Sequence, residues 1–214
     1  ALISPARKVE QLHLCGGTPT YLAPEQIARL GQCIHDHFTF ADDAEISVEI
    51  DPRGLERAHL EALRAAGFNR ASLGVQDFNS DVQVAVNRVQ SFAVTNWALE
   101  TLRELGFKSI NLDLIYGLPF QTEETFTSTL QTILTLNADR LAVFNYAHVP
   151  WMKKHQSVLP ADKLPGPEMK LRMLKRTIEM LLAAGYVYIG MDHFAKPDDE
   201  LATAQREGKL HRNF

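Results

Sequence analysis

One junction repeats along this chain and constrains what it can fold into. Ala66-Gly67-Phe68, Leu105-Gly106-Phe107 and Ala184-Gly185-Tyr186 each close an amphipathic stretch and open a short apolar run. A glycine placed there can take the left-handed conformation that ends a helix, and the aromatic after it packs back on the last turn. Leu136-Asn137-Ala138 has the same form, with Asn as the next residue type to tolerate that conformation. Four exits of one kind predict a repeated helix-to-strand unit.

Strands are expected over residues 11–14, 45–50, 70–74, 109–114, 140–144 and 186–190. Apolar spacing of three and four predicts helices over 59–66, 92–105, 123–136 and 167–184, and Pro24-Glu25-Gln26-Ile27 opens another with Pro at an early position. The segment 150–167 reads as a long loop with room for a short helix. Strand, helix, strand at this spacing means a parallel sheet. The G-x-G-x-x-G turn of open dinucleotide-binding sheets is missing. Polar residues instead follow almost every strand: Gly16-Gly17-Thr18, Glu49 with Asp51, Gln76-Asp77, Asp113, Asn145 with His148, and Asp192-His193. Functional groups at many strand ends suit a barrel, where those ends converge on one mouth. The expected fold class is therefore α/β, a parallel (β/α) partial TIM-type barrel, with residues 1–214 as a single core. It is partial because six strands are visible.

Charge narrows the function. The 214 residues carry 22 Lys plus Arg against 26 Asp plus Glu, a net charge of -4. No basic run offers a footprint for nucleic acid. The charge-free stretch 180–191 is too short for a bilayer, which takes about 20 apolar residues, so no membrane partner is expected. Residues 1–8 lack the charged-then-apolar order of a signal peptide. Two cysteines, Cys15 and Cys33, cannot form a disulfide framework. A cytoplasmic protein is the expectation.

Several constellations could carry chemistry. In Cys15-Gly16-Gly17-Thr18 two glycines would let backbone amides approach a ligand, or would serve a tight turn alone. Glu49, ending its strand, could accept hydrogen bonds from ribose hydroxyls or could be a capping or ion-paired acid. Gln76 and Arg88 could offer an amide and a guanidinium to a polar ligand, although a lone Arg is more often solvated. Asp113 lies inside an apolar run and needs a ligand, an Arg or backbone donors there. Eight histidines invite a metal, but His35 and His37 fall on different helix faces. His13 and Cys15 would share a strand face with no further ligand pair nearby in sequence. No metal site is expected from this chain alone.

Taken together, these segments resemble the oxygen-independent coproporphyrinogen III oxidase (coproporphyrinogen dehydrogenase) family of the radical S-adenosylmethionine superfamily. The likeness runs through Gly16-Gly17-Thr18-Pro19-Thr20-Tyr21, Glu49-Ile50-Asp51-Pro52-Arg53, Gly67-Phe68-Asn69-Arg70 and Gly74-Val75-Gln76-Asp77-Phe78. It continues through residues 113–119, Phe144-Asn145-Tyr146-Ala147-His148 and Gly190-Met191-Asp192-His193-Phe194-Ala195. The resemblance implies a 4Fe–4S cluster that cleaves S-adenosylmethionine to a 5′-deoxyadenosyl radical. That radical takes hydrogen from a propionate of coproporphyrinogen III. Loss of carbon dioxide and an electron leaves a vinyl group, and two rounds give protoporphyrinogen IX, a step of anaerobic haem biosynthesis.

By the same resemblance, Gly16 and Glu49 contact the S-adenosylmethionine on the cluster. Gly17, Thr18, Gln76, Arg88, Asp113 and Ala147 line the place of a second. An electron donor and acceptor of unstated identity are implied, with a monomer when complete. The family's Cys-x-x-x-Cys-x-x-Cys loop stands before the Gly-rich turn, and Cys15 occupies a position that is usually a third Gly. The chain starts after that loop and stops at Arg212-Asn213-Phe214, ahead of the family's C-terminal domain. An internal piece is expected, with no iron binding and no turnover of its own. The alternatives are a haem chaperone of the same superfamily and a non-catalytic barrel that has lost its cluster.

Overall fold

The structure is a computed structural model and describes residues 7–210. The leader reading at residues 1–6 and the closing Arg212-Asn213-Phe214 lie outside the described residues. Seven strands form one sheet in the order β1-β2-β3-β4-β5-β7-β6. They are β1 (Val9–Leu14), β2 (Phe40–Ile50), β3 (Arg70–Gln76), β4 (Ser109–Tyr116), β5 (Arg140–Asn145), β6 (Val187–Gly190) and β7 (His193–Ala195). The described residues divide into two compact units, residues 7–74 with 93–111 and residues 75–92 with 112–210.

In the first unit β1 pairs with β2 and β2 with β3, both parallel, as the helix-to-strand repeat requires. Helix α1 (Pro24–His37) links the first pair and α2 (Arg57–Ala65) the second. Val48, Leu60, Leu63 and Leu73 are fully or almost fully buried and form the core. Gly31 is where α1 approaches the end of α2, because a Cβ there would lie 2.4 Å from Ala66 Cβ. Asn69 fastens this unit. Its side-chain amide donates to Ala44 O at 2.8 Å and accepts from Ile46 N–H at 3.1 Å, while its backbone carbonyl accepts from Lys108 N–H at 2.7 Å.

The predicted helix exits are present. Gly67, Gly106 and Gly185 have φ of 93, 77 and 90°, and Asn137 has φ of 52°. At each glycine the following aromatic N–H returns to a carbonyl five residues back, Phe68 to Leu63, Phe107 to Leu102 and Tyr186 to Leu181. Those bonds satisfy carbonyls that the helix would otherwise leave open.

The second unit holds α3 (Ser80–Ala85), α5 (Glu123–Thr135), α6 (Pro167–Ala183) and α7 (Glu200–Arg206), while α4 (Phe92–Glu104) lies mostly in the first. The expected loop 150–167 carries two short 3-10 turns, Lys154–Val158 and Ala161–Lys163. One expectation is corrected: the sheet is not parallel throughout. β7 runs antiparallel to both β5 and β6, which places a hairpin where the sequence suggested the last strand and its polar mouth. Gly190, Met191 and Asp192 all have positive φ, and three such residues in succession reverse the chain. His193 thus opens β7, and its Nδ1 meets Met191 O at 2.6 Å.

Asp77, 1% exposed, staples this unit. Its carboxylate accepts from Thr129 Oγ1 at 2.6 Å, from Asn79 N–H at 2.7 Å and from the Gln121 amide. Burial nevertheless prevails over those donors and raises the Asp77 pKa above its ordinary 3.8. An acid whose pKa is higher folded than unfolded contributes stability below the unfolded value and loses it as pH rises through the folded one. Asp77→Asn is expected to remove that decline above pH 3.8 from a denaturant-unfolding pH series. It should also cost about 1–3 kcal/mol at neutral pH, since its new NH2 would face donors. A pH dependence identical to the parent's would show that Asp77 is not the group titrating.

Candidate functional site

In the first unit the site grows from the register of two strands. His13 pairs with Ser47, and Leu14 with Val48. Side chains alternate along a strand, so His13 shares a face with Cys15, and Ser47 shares the matching face with Glu49. Gly16 and Gly17 follow with φ of 83 and 66°, and a Cβ at either would meet no heavy atom within 4 Å. Those glycines serve a turn and also face open space. Thr18 leads into the 3-10 turn Pro19–Tyr21, its carbonyl accepting from Tyr21 N–H at 2.9 Å.

Glu49 does not cap a helix. It is half exposed and lies 3.6 Å from His13 Nε2. Two residues on, Asp51 is held by Arg53, whose guanidinium reaches it at 2.7 Å and whose backbone N–H reaches it at 3.0 Å. That partnership raises the Arg53 pKa and commits Asp51 to the turn. Glu49 is the strand-end carboxylate left available to a ligand. Among the described residues no second ligand pair joins His13 and Cys15, but strand pairing brings one carboxylate, Glu49, beside them. His13, Cys15 and Glu49 each offer a ligand atom, and these lie within 4.8 Å of one another. The third ligand belongs to a different strand, so spacing along the chain could not reveal it.

In the second unit Gln76 ends β3 with φ of 70°, left-handed and strained for a non-glycine residue. Its buried Oε1 has no hydrogen-bond partner. A strained residue aiming an unpaired oxygen is the kind of feature that functional sites retain. Arg88 follows α3, half-buried, with its N–H on Gln83 O at 2.8 Å. Asp113 is half-buried on β4 between the buried Leu112 and Leu114. Ala147 is exposed in the loop after β5, where Gln156 holds it: the amide donates to Ala147 O at 3.0 Å and accepts from Val149 N–H at 2.6 Å.

A cavity of about 460 Å³ in this unit is lined by Tyr116, Asn145 and Lys170, with Pro165, Leu171 and Leu174 as its apolar wall. Lys170 donates to Tyr146 O at 2.8 Å, and burial lowers its pKa. Gly117 is required beside it. Its φ is 90°, and a Cβ would come 2.6 Å from Lys170 Cε. Sequence reasoning missed Lys170, which reads there as one more charge on a long amphipathic helix. Asn145, one of the polar strand-end residues read from sequence, lines this cavity, whereas none of the residues assigned by resemblance to S-adenosylmethionine does.

Comparison with known proteins decides the affiliation. Residues 2–133 match the model of the Radical SAM superfamily. The chain belongs to the radical S-adenosylmethionine superfamily. It is 56% identical over 212 residues to the oxygen-independent coproporphyrinogen III oxidase of Escherichia coli (strain K12), covering 97% of the chain and 46% of that relative. It is 53% identical over 213 residues to the enzyme of the same name from Synechocystis sp., covering 100% of the chain and 46% of the relative. The solved structure of coproporphyrinogen III oxidase (HemN) from Escherichia coli, described as a radical SAM enzyme, superposes with a TM-score of 0.94 at 56% identity, over 97% of the chain and 48% of that structure. The chain thus spans about half the length of the curated relatives it matches. Its fold is a partial β/α barrel of the radical SAM type, with β7 as the antiparallel departure. Among the described residues no helix is long and apolar enough to cross a membrane.

If Gln76 is kept for a ligand and not for stability, Gln76→Gly should leave the unfolding midpoint unchanged or raised. Relief of a strained φ, about 1 kcal/mol, together with removal of an unpaired buried oxygen offsets the lost packing. A clear fall in the midpoint would assign Gln76 to the core.

Proposed function

We propose that the protein carrying this chain oxidatively decarboxylates two propionates of coproporphyrinogen III to vinyl groups, giving protoporphyrinogen IX in anaerobic haem biosynthesis. The observation that carries this reading is the 56% identity sustained over 97% of the chain with a relative named oxygen-independent coproporphyrinogen III oxidase. The substrate, the electron donor and acceptor, the cytoplasmic setting and a monomeric whole belong to the same proposal.

The superfamily implies two groups, and the residues present fit one of them. S-adenosylmethionine suits the first unit. The Gly16-Gly17 turn faces open space and Glu49 offers a carboxylate to ribose hydroxyls. In the second unit the unpaired Gln76 Oε1 is an acceptor awaiting a donor, and a second S-adenosylmethionine on Gln76, Arg88, Asp113 and Ala147 would supply one. A 4Fe–4S cluster held by three thiolates does not fit the two cysteines, Cys15 in the turn and Cys33 on α1. Bound there, S-adenosylmethionine would supply a 5′-deoxyadenosyl radical on receiving one electron from a donor outside this chain's residues, and the hard chemistry would be the cofactor's.

This chain's own residues bind and orient. Glu49 would hold the ribose, its carboxylate accepting hydrogen bonds from the sugar's hydroxyls. The open glycine turn lets backbone amides approach the amino-acid end of the ligand without side chains intervening. Both effects would place one carbon of the nucleoside, which is what taking a hydrogen atom from a single propionate requires.

The test is anaerobic turnover by the protein that carries this chain, with coproporphyrinogen III, S-adenosylmethionine, a low-potential one-electron reductant and an electron acceptor supplied. Carbon dioxide and methionine should be released together with vinyl product. Stoichiometric haem binding without decarboxylation would overturn the reading in favour of a haem chaperone. Glu49→Gln is expected to weaken S-adenosylmethionine binding about tenfold or more, as hydrogen bonds to a charged group contribute about 1.5–3 kcal/mol. Unchanged affinity by equilibrium dialysis would remove Glu49 from the site.

A further inference from the structure

We infer that His13, Cys15 and Glu49 form a binding site for a single d-block dication of the Zn2+ class. Their ligand atoms lie within 4.8 Å of one another, and all three side chains are exposed to solvent and open to an incoming ion. An imidazole, a thiolate and a carboxylate together make a mixed nitrogen, sulfur and oxygen set, which selects Zn2+ or Co2+ over Mg2+ or Ca2+.

The geometry already approaches that of a bound ion. Tetrahedral Zn2+ with its usual bond lengths separates a nitrogen and an oxygen ligand by about 3.4 Å. His13 Nε2 and Glu49 Oε1 are 3.6 Å apart. The other ring nitrogen is held in the way metal-bound histidines are held. His13 Nδ1 lies 2.7 Å from Ser47 Oγ, and that hydroxyl directs its own proton to Leu12 O at 3.4 Å. Metal binding through Nε2 selects the tautomer in which Nδ1 donates to Ser47 Oγ and the Ser47 proton goes to Leu12 O, leaving the Nε2 lone pair on the side of Glu49. Such an outer partner fixes both tautomer and ring orientation.

Parallel pairing makes the set rigid on two of its three sides. His13 and Ser47 are directly paired residues of β1 and β2, and Glu49 is two places further along β2 on the same face. Cys15 follows β1 where the Gly16-Gly17 turn begins, so its side chain can adjust by the ångström needed to close on the ion. Binding forms one bond each from Nε2, Sγ and a carboxylate oxygen. The thiol proton passes to solvent, and the fourth position is left to water. Cys33 offers a contrast. Its Sγ is 3.9 Å from His37 Nδ1, but that nitrogen is engaged by Cys33 O at 2.7 Å. Where Glu49 also serves the nucleoside as proposed above, ion and nucleoside exclude each other. The ion's own site does not depend on that.

The test is titration of the chelator-treated full chain with Co2+, followed by displacement with Zn2+. One equivalent of Co2+ should produce a thiolate-to-cobalt charge-transfer band with the intense visible bands of a tetrahedral ion, and Zn2+ should abolish them. Cys15→Ser should eliminate the charge-transfer band, while Cys33→Ser should leave it intact. Ser47→Ala should weaken binding about tenfold, the effect of losing a partner behind a ligating histidine. His13→Gln and Glu49→Gln should weaken it further. A band that survives in Cys15→Ser, or that is unaltered in His13→Gln, would overturn the site, as would a featureless titration of the parent. Circular dichroism melts of each variant separate loss of ligands from loss of fold. Failure of S-adenosylmethionine to compete with Zn2+, with the cobalt spectrum intact, would count against Glu49 as a ribose ligand and leave the metal site standing.

Discussion

The candidate site depends on the parallel register between β1 and β2. With His13 opposite Ser47, the alternation of side chains brings His13, Cys15, Ser47 and Glu49 to one face while Val48 and Ile50 enter the core. A slip of one residue would bury Glu49 and expose Val48, so the hydrophobic pattern itself holds the polar set in place. Asn69 reinforces this by bonding β2 at Ala44 and Ile46, which ties the strand to the loop that opens β3. The arrangement of a few polar groups is thus maintained by apolar burial and by one half-buried amide.

Gln76 and Asp77 show how neighbouring polar residues separate into two roles. Asp77 turns inward and is saturated by Thr129, Asn79 and Gln121, so its charge serves the packing of the loop after β3. Gln76 keeps a strained backbone and an acceptor with no partner. The sequence presents both simply as polar residues after a strand. Only three-dimensional accounting of donors and acceptors tells the saturated group from the open one.

Much of the fold was legible because its signals are local. Gly67, Gly106, Gly185 and Asn137 announce helix ends through a backbone conformation that few residues accept, and each is found in it. The β6–β7 hairpin was hidden because Gly190-Met191-Asp192 carries no familiar turn pair and β7 is only three residues long. At the site, Gly16, Gly17 and Glu49 could be read from strand-end position. The meeting of Glu49 with His13 and Cys15 could not, because it joins residues 34 or more places apart through strand pairing. Lys170 stayed hidden for a related reason. Its amine reaches back to Tyr146 O across a separation of 24 residues.

The central claim is that the ends of β1 and β2 form the seat of S-adenosylmethionine on this chain. Amide hydrogen exchange of the chain, with and without saturating S-adenosylmethionine, tests it most directly. The account predicts slowed exchange confined in this unit to residues 15–18 and the end of β2 at Glu49 and Ile50. Slowing that bypasses those residues, or none at all at saturation, would contradict it.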